Sequence, residues 1–211
     1  MKQQTPTLEE EKKLWSRGYN VVVGVDEVGR GPLAGPVVSA ACFLDNPSSE
    51  NLKKILNLGI KDSKKVSEKK REAIFEEVKS FKFVKWGLGV VDEKMIDKIN
   101  VLEASLLSMK KAVENLNIKN KQNAFLLVDG RELVPDFYMS QKSIISGDAK
   151  VFSIALASIM AKVTRDRIMR LYAKKYPEYF FQKHKGYGTK LHFEAIKKYG
   201  ACKIHRKTFL H

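Results

Sequence analysis

A run of mostly β-branched residues, Val21-Val22-Val23-Gly24-Val25, leads into two adjacent acids, Asp26 and Glu27, and then into Val28-Gly29-Arg30-Gly31-Pro32-Leu33-Ala34-Gly35-Pro36. No other stretch restricts the fold as tightly. An uninterrupted apolar run reads as a strand buried on both faces. Acids placed at its end are costly unless something binds them. The glycines after them let the chain turn sharply and bring its backbone close to a ligand. Side chains alternate along a strand, so both acids serve one site only if the strand ends or bends there. Gly29 and Gly31 are expected to supply that bend.

The rest of the pattern alternates helices with strands. Val37 to Leu44 is a second buried run, and its short connection to the first predicts an antiparallel neighbour. Asp45 to Glu50 reads as a loop. Thr7 and Glu10 have capping-box spacing ahead of a helix over Leu8 to Arg17, with Gly18 placed to end it. Ser67 is positioned to cap a helix through Phe81, with Ile74, Val78 and Phe81 on one face. Phe83 to Val91 and Ala124 to Val128 read as further strands. Leu102, Leu106, Met109, Val113 and Leu116 recur at helical spacing. Ala149 to Tyr172 predicts a long, largely buried helix, and Thr189 to Tyr199 a final one before Gly200. The class is α/β with a mixed sheet, and sites in such folds gather at strand ends and helix N-termini.

Composition bounds the function. Thirty-nine Lys and Arg against 24 Asp and Glu give a net charge of +15, which favours a polyanionic partner such as nucleic acid. The excess is mostly lysine, so a solvated basic surface explains it equally well. No apolar run is long enough to cross a bilayer, and the N-terminus lacks the apolar stretch of a secretory signal. Cys42 and Cys202 have neither zinc nor disulfide spacing. A cytoplasmic protein with no membrane partner is expected.

Against that basic background, acids stand at three strand or helix ends: Asp26 with Glu27, Asp129 and Asp148. Taken singly, Asp129-Gly130 is a turn and Asp148 a helix cap. Taken together, they would repel, by roughly 4 kcal/mol for a pair about 4 Å apart at an effective dielectric near 20. A hard divalent cation removes the problem, and all-oxygen ligation suits Mg²⁺ or Mn²⁺ rather than zinc. Two such ions suit phosphodiester hydrolysis.

From Val21 to Phe209 the chain resembles bacterial type 2 ribonuclease H, the ribonuclease HII family. The resemblance rests on six segments in order: Asp26 to Pro36, Asp62-Ser63-Lys64-Lys65-Val66-Ser67, Val128-Asp129-Gly130, Gly147-Asp148, Ala157 to Asp166, and His184-Lys185-Gly186-Tyr187-Gly188-Thr189. It implies a ribonuclease H-like fold, a mixed five-stranded sheet flanked by helices with a helical C-terminal portion. In that reading residues 1–19 form a leader helix and 20–211 the catalytic domain. It further implies a monomer that cleaves the RNA strand of RNA–DNA hybrids and incises 5′ of single ribonucleotides in duplex DNA. Asp26, Glu27, Asp129 and Asp148 would bind two catalytic ions, Mg²⁺ or Mn²⁺. Gly29, Arg30 and Gly31 would meet the 2′-hydroxyl, and Tyr187 would stack at the ribose-to-deoxyribose junction. Lys64 is assigned to a phosphate, with a solvated lysine as the alternative. Ser158, Lys162 and Arg165 share one stripe of the long helix, facing either solvent or phosphates. Ser146 stands where similar sequences often carry a basic residue.

Two alternatives remain open at this level. Type 3 ribonuclease H shares the chemistry, but its segment after the acidic pair differs from Pro-Leu-Ala-Gly-Pro and it carries an N-terminal domain. A non-catalytic nucleic-acid binder accounts for the charge but has no use for four acids. A dinucleotide site is excluded, because Gly29, Gly31 and Gly35 have the wrong spacing and prolines interrupt the helix start. His184, His192, His205 and His211 show no metal spacing.

Overall fold

The computed structural model describes residues 5–60, 63, 66–118 and 121–210. Five strands, β1 (Val21–Val28), β2 (Val37–Leu44), β3 (Val84–Val91), β4 (Ala124–Asp129) and β5 (Ser140–Ile144), form one sheet in the order β3-β2-β1-β4-β5. β2 is antiparallel to β1 and β3, while β4 is parallel to β1 and β5 to β4. The helices are α1 (Glu9–Trp15), α2 (Ser49–Leu56), α3 (Glu68–Ser80), α4 (Glu93–Ile99), α5 (Val101–Glu114), α6 (Phe152–Lys175), α7 (Phe181–His184) and α8 (Lys190–Tyr199). The mixed α/β architecture and its helical C-terminal portion are as the sequence leads one to expect.

β1 is covered on both faces, and this sets the geometry of the site. Val23 and Val25 pack with Leu106, Met109 and Val113 of α5. Val22 packs on the other face with Leu14 of α1 and Ile154 of α6. Gly24 admits α6 to that face, since a Cβ there would collide with the backbone of Ser153 and Ile154. Strand alternation therefore sends Asp26, in step with Val22 and Gly24, toward α6, and starts Glu27 on the α5 side. The α6 layer is completed by α3, whose Ile74, Phe75 and Val78 join Leu156 and Ile159 in one cluster.

Several boundaries differ from the sequence reading. β1 does not stop at the acids but continues through Val28, because β2 pairs with it as far as Val28↔Val38. The capping box does not form: Leu8 is the N-cap of α1, and Thr7 instead bridges in parallel to Val151. Glu10 is drawn to Lys142 at 2.7 Å. The long helix begins at Phe152, so Asp148 is not its cap but lies in a separate 3₁₀ turn, Gly147–Ala149. The start of α6 is served by Glu11, whose Oε1 accepts from the Ser153 amide at 2.7 Å. Ser49–Leu56 is helical where a loop is expected at its start, capped by Ser48.

Beyond α6 the chain folds back as α7, α8 and a closing 3₁₀ turn, Lys207–Phe209, around Tyr179, Phe181 and Ile204. Three histidines with no recognisable spacing meet here. The His184 and His192 rings stack at 4.4 Å, and His192 Nε2 lies 3.0 Å from His205 Nε2. Backbone donors fix the tautomers. The Cys202 amide donates to His205 Nδ1, so His205 Nε2–H donates to His192, whose Nδ1–H then donates to the Tyr187 carbonyl. The arrangement requires neutral rings. Burial lowers all three pKa values, that of His192 to about 4. The unfolded rings take up protons first as pH falls, so their share of stability is present above about 6.5 and is lost toward 4. An NMR titration should find His192 neutral down to about pH 5, with His192→Gln less acid-sensitive than the parent in thermal melts between pH 6.5 and 4. A His192 titrating at its ordinary value would refute this.

Candidate active site at the end of the sheet

The pairing of β1 with β4 ends at Val25↔Val128, three residues before its pairing with β2 ends. This leaves Asp26 to Val28 projecting past β4, and the sheet opens into a cleft of about 590 Å³. Asp26, Glu27, Asp129 and Asp148 all line it. The two neighbours in sequence share the cleft without the strand ending between them, because Glu27 emerges where β4 no longer flanks its strand. Asp129 closes β4, and its Oδ1 accepts from the amides of Gly147 at 2.6 Å and Asp148 at 3.3 Å. That turn holds Asp148 beside Asp129, helped by Ser146 in the left-handed conformation at φ 56°. A Cβ at Gly147 would crowd the Asp129 carboxylate and Ile154.

Asp26 is 6% exposed. Its Oδ1 accepts from the Glu27 amide at 2.7 Å, and its carboxylate is bonded by the Ser158 hydroxyl of α6. Ser158 in turn meets Ser63 at 2.9 Å. Burial, with the charges of Glu27 and Asp129, raises the Asp26 pKa well above the usual carboxylate value. Burial, assisted by the Asp129 charge, outweighs Arg30 and lifts Glu27 to about 7. In both, burial is the leading cause and the neighbouring acids add to it.

The donor set is wholly oxygen, four carboxylates with two hydroxyls behind them, and suits a hard divalent cation. Among the described residues no three acidic, His or Cys side chains are gathered tightly enough to form a coordination shell as they stand. Lys162 and Arg71 also line the cleft. Both are committed to the buried Asp166, Lys162 at 2.8 Å and Arg71 at 3.8 Å.

The opposite rim is the turn after β1. Gly29 has φ 102°, and a Cβ on it would strike the Arg165 side chain. Arg30 reaches back to Glu27 at 3.3 Å. Gly31 adjoins Tyr187, whose Cε1 lies 3.9 Å from where a Gly31 Cβ would be, and the Tyr187 ring is 39% exposed. Lys64, together with Asp62, lies outside the described residues. The Ser158-Lys162-Arg165 stripe divides: Ser158 and Lys162 line the cleft, bonded to Asp26 and Asp166, while Arg165 turns inward. Arg165 is fully buried and donates to the carbonyls of Ala34, Pro36 and Lys185. Sequence reasoning also missed Arg206, which donates to Gly29, Arg30 and Gly35. Nothing in an isolated arginine near His205 distinguishes it from a surface charge.

The order of these segments around one cleft has a counterpart in known proteins: the family model for ribonuclease HII matches residues 23–211. The chain belongs to the ribonuclease HII family. It is accordingly an endoribonuclease. Ribonuclease HII of Caldicellulosiruptor bescii is 49% identical over 95% of this chain and 91% of its own length. The crystal structure of ribonuclease H2 from Pyrococcus horikoshii is 28% identical with a TM-score of 0.67, covering 89% of this chain and 92% of that one. Bst ribonuclease HIII in complex with Mn²⁺ shares the fold at a TM-score of 0.69 and 19% identity, covering 89% and 65% of the two chains. The ribonuclease HII match decides between the type 2 and type 3 readings. No helix among the described residues is long and apolar enough to cross a membrane.

Proposed function

We propose that this ribonuclease HII cleaves the RNA strand of RNA–DNA hybrids and incises duplex DNA on the 5′ side of a single ribonucleotide, in ribonucleotide repair and DNA replication in the cytoplasm. One observation carries the reading. Four acids from three separate chain segments line the same cleft as Tyr187, beside the Gly29-Arg30-Gly31 turn. In this reading Asp26, Glu27, Asp129 and Asp148 hold two divalent ions, Mg²⁺ or Mn²⁺. The ions would lower the pKa of an attacking water and stabilise the leaving oxygen. Water adds to the phosphorus, the bond to the preceding 3′-oxygen breaks, and a 5′-phosphate and a 3′-hydroxyl result. Ser158 orients Asp26, while the Gly147 and Asp148 amides fix Asp129. Gly29, Arg30 and Gly31 meet the 2′-hydroxyl, the group that separates RNA from DNA, and Lys64 meets a phosphate. The protein acts as a monomer.

The test is a DNA duplex containing one ribonucleotide, incubated with Mg²⁺, with Mn²⁺ and with chelator. Metal-dependent incision immediately 5′ of the ribonucleotide is expected. Binding without incision would transfer the assignment to a non-catalytic nucleic-acid binder.

Tyr187 makes a second, separable prediction. Its exposed ring offers a stacking surface, and the Arg165 guanidinium lies 5.8 Å from the ring centroid. Losing one base- or sugar-stacking contact costs roughly tenfold or more. Tyr187→Ala should therefore cleave single-ribonucleotide duplexes at least about tenfold more slowly while long hybrids suffer less. Equal losses on the two substrates would remove the junction role.

A further inference from the structure

Two guanidinium groups hold the turn after β1 from behind. Arg206, fully buried, donates from Nη1 to the Arg30 carbonyl at 2.8 Å, from Nη2 to those of Gly29 at 2.5 Å and Gly35 at 2.8 Å, and from Nε to Gly35 at 3.0 Å. Its own amide donates to Leu33 at 2.9 Å. Arg165 takes the next two carbonyls, Ala34 at 3.2 Å and Pro36 at 2.9 Å. Arg206 is itself fixed through its neighbours. Asp97 of α4 accepts from the amides of Lys207 at 2.9 Å and Thr208 at 3.1 Å, and from the Thr208 hydroxyl at 2.7 Å.

A trans peptide points its carbonyl and its N–H in opposite directions. With the carbonyls of Gly29 and Arg30 turned back onto Arg206, the N–H groups of Arg30 and Gly31 are turned the other way. Gly31, with its place beside Tyr187, marks that side as the substrate's. We propose that Arg206 is a positioning residue for ribose discrimination, which aims the Arg30 and Gly31 amides at a 2′-hydroxyl by holding the two carbonyls behind them. The inference rests on the reading that this turn meets the ribose. A lysine cannot substitute, because a single ammonium lacks the planar fork that spans three carbonyls.

The experiment is equilibrium binding in chelator, where no turnover occurs, to an all-DNA duplex and to the same duplex with one ribonucleotide. The wild type should prefer the ribonucleotide. Arg206→Lys should lose about tenfold of that preference, the worth of one well-aimed hydrogen bond, while its affinity for all-DNA duplex changes less than about twofold. Asp97→Asn, which loosens the tail without touching the buried guanidinium, should lose part of the preference and carries the test if Arg206→Lys does not fold. Val113→Ala, a core truncation on α5, should melt lower yet keep the wild-type ratio. A merely structural Arg206 would lower melting temperature and leave the ratio intact, which overturns the proposal. A retained ratio in Asp97→Asn alongside an unfolded Arg206→Lys overturns it too. If the wild type itself shows no preference, the ribose reading of the turn fails first, and this inference with it.

Discussion

Asp26→Asn should abolish turnover, by roughly a thousandfold or more, and at the same time make the metal-free protein harder to melt. The first effect follows if Asp26 holds an ion whose charge stabilisation is worth several kcal/mol. The second follows from the cleft's electrostatics. Burial and the charges of Glu27 and Asp129 raise the Asp26 pKa. A raised carboxyl pKa means that the folded state retains a proton the unfolded state has released. Stability is then lost as pH rises from the ordinary carboxylate value toward the folded one. Asn keeps the shape and removes that penalty. At pH 8 in chelator the variant should melt a few degrees higher than the parent, and the advantage should shrink or reverse when Mg²⁺ is added. Hybrid binding should persist. Unchanged turnover would sink the assignment of Asp26, and a lower melting temperature in chelator would contradict the repulsion.

Gly89→Ala should cause the largest loss of stability of any single methyl group added to the sheet. A Cβ on Gly89 would overlap the Ser108 carbonyl oxygen and press on the Ala112 amide. Gly87, on the same face of β3, would meet the Ala112 carbonyl in the same way. Strand and helix here touch backbone to backbone, and neither surface has a flexible side-chain end that can swing aside. Overpacking an interior contact costs about 1–3 kcal/mol, and the upper end is expected where both sides are backbone. The substitution also disturbs a buried hydroxyl pair, Ser39 with Ser108 at 2.5 Å, since Ser39 is the β2 partner of Gly89. Urea unfolding should show the midpoint falling sharply with little change in slope. Gly18→Ala is the comparison: its φ of 92° adds backbone strain, but a Cβ there would meet nothing within 4 Å, so it should cost less than Gly89→Ala. Near-equal midpoints for the two variants would mean that α5 rides further from β3 than described.

The elements that the sequence made legible are those whose own residues carry the signal. Val21 to Val25 carries no polar side chain and Val37 to Leu44 only the buried Ser39, because both faces of each strand are covered. Ser67 caps α3 through its own hydroxyl, accepting from the Lys70 amide at 3.3 Å. What stayed hidden depends on distant partners. β5, Ser-Gln-Lys-Ser-Ile, is a polar edge strand that exists because β4 offers it a parallel partner, and nothing in its composition separates it from a loop. Thr7 has the spacing of a capping residue but is captured by Val151, far along the chain. The same contrast holds at the site. The acids could be found because they stand near glycines at breaks in the apolar pattern of a basic chain, although only Asp129 closes the element expected of it. Arg165 and Arg206 could not, because arginine in sequence reads as surface charge, and only the packed structure reveals carbonyl groups waiting for each nitrogen.

The Arg206 clamp also bears on when the enzyme comes into being. The carbonyl of Gly29 and the guanidinium that holds it are separated by 177 positions. A ribosome completes the sheet strands and α6 well before it reaches Arg206. Throughout that interval the turn beside the acids lacks its rear support, so a nascent or prematurely ended chain carries the carboxylates beside an unfixed turn. Long-range closures of this kind form late and slowly in folding. A nuclease assembled in that order does not finish this turn until α8 and the segment after it have been made.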